Sequence, residues 1–145
     1  MKKIILILGG IVLFYGAYYY FRPLGPKIKI GQTIIPVEVA ITEEQKELGL
    51  GNREKLDPNR GMLFPYDHKE QFNFWMKGMH FPLDFIWILG NTVTDITENV
   101  PPPVGNEQPV IVKPSQPVDK ILEVNAGFIA AHAIKIGDSV KFIDR

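Results

Sequence analysis

The spacing of apolar residues along the chain changes once, at residue 22. From Ile4 to Phe21 there are 18 consecutive residues without a charge, close to the shortest run that spans a bilayer core of about 30 Å. After Arg22 the apolar residues fall into short runs with a period of two, the spacing of half-buried strands. Ile28/Ile30 and Ile35/Val37/Val39/Ile41 predict a hairpin about Gln32-Thr33. Thr42 with Gln45 three residues on forms a capping box, Glu43 and Glu44 suit a first turn, and Gly49 or Gly51 closes a helix over 42–50. Leu50 to Arg60 reads as an irregular connection with a turn at Asp57-Pro58-Asn59. Strands are expected at 61–66, where Pro65 ends the run, at 72–76, and at 83–89, the last turning through Gly90-Asn91 into 92–100. Six prolines between 101 and 117 mark a long exposed excursion. A strand at 118–125, a short helix at 126–133 and a last strand at 139–143 complete the chain.

Many short strands with one or two short helices predict a mainly β (α+β) fold, a small antiparallel barrel or sandwich preceded by a single transmembrane helix. The chain divides into an anchor at 1–22, a short tether and the start of the first strand at 23–30, and one mainly-β domain at 31–145. Tyr15, Tyr18, Tyr19, Tyr20 and Phe21 crowd the end of the first run, where amphipathic rings favour the headgroup region. A cleaved signal peptide is the rival reading, but Tyr15 stands before Gly16-Ala17 where a small residue is wanted. Lys2, Lys3 and the amino terminus favour that end inside, although Arg22, Lys27 and Lys29 follow the run. The expectation is a single-pass protein with its domain outside the cytoplasm.

Composition narrows the chemistry. The chain has no cysteine, which removes disulfides, thiolate nucleophiles and zinc–thiolate sites. Taking Lys2, Lys3 and Arg22 from the 16 basic residues leaves 13 against all 16 acidic residues, so residues 23–145 carry −3. No basic stripe with interleaved aromatics is present, and nucleic acid is not an expected partner. Phosphate loops, dinucleotide fingerprints and a nucleophile elbow are absent. His80 and Asp84 are four apart, but Pro82 between them opposes a helix, so no metal and no cofactor are expected.

The densest stretch is Phe72 to Ile88, which holds both tryptophans and four of the nine phenylalanines. Lys77 and Asp84 sit among these apolar residues, and a charge so placed needs a partner or a function. One reading is structural, with the two paired or with Asp84 bonding backbone donors. The other is a polar pair on an aromatic floor of Trp75 and Trp87 that grips a ligand. Glu123 lies in Ile121-Leu-Glu-Val-Asn125, where alternation puts it on the same face as Ile121. A carboxylate there partners Arg53 or Lys77, or stands at a solvated edge, or supplies with Asp84 the two carboxylates of a hydrolase.

Gly49-Leu50, Arg53, Gly61-Met62-Leu63-Phe64, Phe74-Trp75-Met76-Lys77, Pro82-Leu83-Asp84, Leu122 to Gly127 and Ile136-Gly137-Asp138 occur in an order and spacing that resembles the domain of unknown function 192 family, over about residues 36 to 143. The sequence departs from that pattern at Gly51, Asn52 and His80. The resemblance implies a small, mostly β, prokaryotic domain that often follows a signal peptide or membrane anchor. It implies no activity.

The functional expectation is an extracytoplasmic accessory module of the cell envelope, held to the membrane through residues 4–21. It binds a small polar ligand or an envelope protein at Arg53, Trp75, Lys77, Asp84 and Glu123. No catalytic residue is assigned. Two alternatives stand beside it: a hydrolase of envelope saccharides using Asp84 and Glu123, and a structural interaction domain that makes contact through the 101–117 excursion.

Overall fold

A computed structural model describes residues 25–143. The expected anchor at 1–22 lies outside the described residues, among which no helix is long and apolar enough to cross a membrane.

Nine strands and two short helices follow in the order β1 (Lys27–Ile30), β2 (Thr33–Val39), α1 (Glu43–Leu48), β3 (Gly61–Glu70), β4 (Phe74–Trp75), β5 (Leu83–Leu89), β6 (Thr92–Val100), β7 (Ile111–Val112), β8 (Val118–Asn125), α2 (Phe128–Ala131) and β9 (Val140–Ile143). Seven of the strands form one sheet, ordered β6-β5-β8-β3-β2-β1-β9. It curls into a half-barrel whose two outer strands come together at one end. There the Val93 amide donates to the Asp138 carbonyl at 3.0 Å, Gly137 to Val93 at 2.8 Å and Val140 to Asn91 at 2.8 Å.

The pairing is antiparallel except between β2 and β3, which run parallel, with Val37 opposite Gly61. A parallel pair needs a crossover, and α1 with the following loop provides it. Thr42 caps α1 as expected: its hydroxyl accepts from the Gln45 amide, and the Gln45 side chain returns to the Thr42 amide. Gly49 closes the helix with φ +50°, a region glycine enters without strain.

Several expected boundaries shift. The first hairpin turns at Gly31-Gln32, one residue earlier, because Ile30 pairs with Thr33. Pro65 does not end β3. Strand β2 covers only Gly61–Leu63, so one side of β3 is already open at Pro65, where a missing N–H costs no ladder bond. The strand expected at 72–76 shortens to two residues, paired with β7 inside the proline-rich excursion. That excursion is also fastened down, since Asp95 accepts from the Ser115 amide at 2.7 Å and Gln71 donates to the Pro114 carbonyl at 3.1 Å.

Both faces of the sheet are buried around β5 and β8. On the concave side Ile28, Ile35, Leu63, Ile86, Leu122 and Val140 converge beneath Phe128 and Ile129 of α2. On the convex side Met62, Phe64, Phe85, Trp87 and Ile121 are covered by Leu50, Phe74, Met76 and Met79. A central strand buried on both faces has no polar side, which explains the unbroken apolar run Phe85–Leu89.

Candidate functional site

Strand register separates the two carboxylates of the motif. On β5 and β8, Asp84 lies opposite Val124 and Phe85 lies opposite Glu123. Successive residues of a strand point to opposite faces, so Asp84 belongs to the concave side and Glu123 to the convex side. They cannot flank one scissile bond, and the acid–base pair that a saccharide hydrolase requires is not formed.

Asp84 has no exposed surface, and its two oxygens accept backbone amides. Oδ1 takes the Asn99 N–H at 2.8 Å and Oδ2 the Ile129 N–H at 3.1 Å. The first bond holds a bulge in β6, where two residues, Glu98 and Asn99, stand opposite Asp84 alone and Asn99 adopts φ +55°. The second caps α2 from a distance, because the residue before that helix is Gly127 and offers no side chain. Lys77 is not its partner. The Lys77 side chain is exposed, with Nζ 5.4 Å from the centre of the Trp75 ring. Of the two readings for this motif, backbone bonding by Asp84 is the one realised.

Glu123 is the opposite case. It is 5% exposed, and its Oε2 is fully buried without a hydrogen-bond partner. Burial pushes its carboxyl up to about 8, against a downward pull from the Arg53 charge. Arg53 itself makes a bidentate pair with Glu38, both bonds at 3.0 Å. That bond holds the Glu38 carboxyl below its ordinary value. The register explains how a group bound elsewhere still reaches Glu123: Glu38, Met62, Glu123 and Phe85 are successive partners across β2, β3, β8 and β5 and share one face.

The unpartnered carboxyl opens on a cleft of about 330 Å³ between α1, β3 and the Asn73–Met79 segment, within the range of small-ligand sites. Phe64 and Tyr66 line it from β3, and Phe74, Trp75 and Met79 from the covering segment. Gly49 passes close to the floor: a side-chain carbon there would lie 3.4 Å from the Phe64 ring and 3.9 Å from Glu123 Oε2. Lys77 stands at the mouth beside Glu43, Lys46 and Glu47 of α1. Lys46 Nζ sits 4.3 Å from the centre of the Tyr66 ring. Burial, aided by the charges of Glu43, Glu123 and Glu70, pushes the Tyr66 hydroxyl up to about 12, so it stays protonated.

Of the five expected site residues, Trp75, Lys77 and Glu123 line this cleft. Asp84 is on the other face, and Arg53 is a neighbour engaged with Glu38. Trp87, expected in the aromatic floor, is wholly buried, stacked on Phe85 and bonded through Nε1 to Thr97 at 2.9 Å. The floor is built instead by Phe64, Tyr66 and Phe74. Alternation in Met62-Leu-Phe-Pro-Tyr66 already puts Phe64 and Tyr66 on one face, whereas nothing local links Glu38 to Arg53.

The family profile of DUF192, described as "Uncharacterized ACR", matches residues 27–142. Among solved structures, the chain is similar to a Sinorhizobium meliloti 1021 protein provisionally described as a transcription regulator. They share 28% identity with a TM-score of 0.71, covering 82% of this chain and 95% of that one. A Novosphingobium aromaticivorans DSM 12444 protein of unknown function is also similar, at 28% identity and a TM-score of 0.69, covering 79% and 83%. No curated protein matches.

Proposed function

The chain belongs to the DUF192 family, and on that premise we propose that its domain binds a small ligand in the cleft between α1, β3 and the Asn73–Met79 segment. The observation that carries this reading is Glu123. A buried carboxyl oxygen without a partner costs about 1–3 kcal/mol or more, and native folds bond nearly all such groups. An unsatisfied acid under an aromatic-walled opening supports a site completed by something bound. At neutral pH the acid is largely protonated and both donates and accepts.

Residues 4–21 anchor this module in the membrane with the domain outside the cytoplasm, which makes it an accessory component of the envelope. The net −3 of residues 23–145 gives no electrostatic ground for extending the regulator description of the Sinorhizobium protein to this chain. A partner contact through residues 101–117 is the second reading, favoured by Val104 and Ile111, which are exposed.

The test is a fragment screen by NMR on the full-length chain, repeated with Glu123→Leu and Trp75→Ala. Hits are expected to shift resonances of Gly49, Phe64 and Trp75 and to lose affinity at least tenfold in both variants. Saturable binding that survives both substitutions would sink the proposal.

A further inference from the structure

Resting on the reading of the cleft as a ligand site, we propose that its ligand is an organic ammonium ion, with Glu123 as counter-ion and the Trp75 ring as the face that receives the cation. Three features point the same way.

Among the charged side chains lining the cleft, Glu43 and Glu47 balance Lys46 and Lys77, and Glu123 adds an acid with no counter-ion of its own. The cations stand at the mouth, while the carboxylate without a partner forms the floor. An anion would have to approach Glu123, whereas a cation finds there the bond that no basic side chain among the described residues makes.

Trp75, exposed at the opening, already faces an ammonium group, Lys77 Nζ at 5.4 Å, whereas both faces of Tyr66 are taken, one by Phe72 stacked at 3.8 Å and the other by Lys46 Nζ at 4.3 Å. The Trp75 face is therefore presented at the opening, where the ring quadrupole attracts a positive charge. The Lys77 side chain is exposed, so it can yield that ring to an incoming amine, whereas Lys46, bound to Glu43 at 3.1 Å, stays on Tyr66.

The remaining charge facing Glu123 is Arg53, from the loop after α1. It is committed to Glu38 by two bonds and does not neutralise the floor. With Glu123 protonated before binding, association forms an ammonium–carboxylate pair and releases the carboxyl proton to solvent. No bond other than that O–H is broken.

The probe is a matched series, n-hexylammonium, 1-hexanol and hexanoate, titrated calorimetrically into the full-length chain. Each titration is run at neutral pH in phosphate and in MOPS, whose ionisation enthalpies differ. Hexylammonium is expected to bind at least tenfold more tightly than either isostere. It should release close to one proton, and its affinity should rise about tenfold between pH 6 and 7 and level off above about 8. Glu123→Gln is expected to abolish the proton release and the preference while keeping hexanol binding, which shows that the cleft is still formed. Trp75→Leu, at an exposed position, is expected to weaken hexylammonium severalfold. Equal or tighter binding of hexanol or hexanoate without proton release overturns the ammonium assignment and leaves the ligand site standing. No heat from any of the three at millimolar concentration overturns the assignment as well, and the fragment screen then decides the site separately.

Discussion

Asp84 and Glu123 are carboxylates on adjacent strands in opposite circumstances, and substitution should tell them apart. Removing Asp84 leaves two buried amides unbonded. Each bond to a charged group contributes about 1.5–3 kcal/mol, so Asp84→Ala is expected to cost about 3–5 kcal/mol in urea unfolding. Lys77→Met, at an exposed site, should stay within about 0.5 kcal/mol. Glu123 acts through pH. Its folded carboxyl titrates near 8, above the ordinary 4.5 of the unfolded chain, so between those values the folded state holds the extra proton. Its contribution is then fully present below about pH 4.5, is lost as pH rises through about 8, and is level beyond. The loss is on the order of a few kcal/mol, and Glu123→Gln should flatten that slope when unfolding is measured at pH 5, 7 and 9. Sequence alone placed Glu123 with Ile121 by alternation. The faces of Asp84 and Glu123 relative to each other needed the β5–β8 register, which depends on residues about forty apart.

Among the elements, α1 is short and has no buried residue of its own, so its caps matter more than its packing. Thr42→Ala is expected to cost about 1 kcal/mol. Because α1 forms one wall of the cleft, the same change should weaken ligand binding without touching the floor. Gly61 is a harsher case: a side-chain carbon there would lie 2.8 Å from the Glu123 carbonyl and 2.8 Å from Leu122. Gly61→Ala should destabilise by more than about 2 kcal/mol and displace the strand that carries Glu123. Capping residues, period-two runs and the Gly90-Asn91 turn between two apolar runs made α1, β2, β5, β6 and β8 legible in advance, since each is specified by its own residues. Strand β7 was not, and β4 was expected only as a longer run, because their pairing joins segments across the excursion and has no local period. The continuation of β3 past Pro65 was missed for a related reason: whether a proline is tolerated depends on how far the neighbouring strand extends.

At the scale of the molecule, the sheet joins its own ends. β1 pairs with β2 on one side and with β9 on the other, Ile28 opposite Phe142 and Ile30 opposite Val140. The Val93 and Val140 amides at the junction are expected to exchange as slowly as those of β8, as their bonds to Asp138 and Asn91 require. Frayed exchange at both would show the junction to be open. Deleting residues 140–145 should expose the edge of β1 and produce concentration-dependent association, read by light scattering. The arrangement also bears on how the chain is made. The first strand of the domain to leave the ribosome waits for the last, with about 110 residues of non-local topology between them, so the domain completes its sheet only once β9 has been made. Until then β1 is paired only with β2, and its other edge stays open.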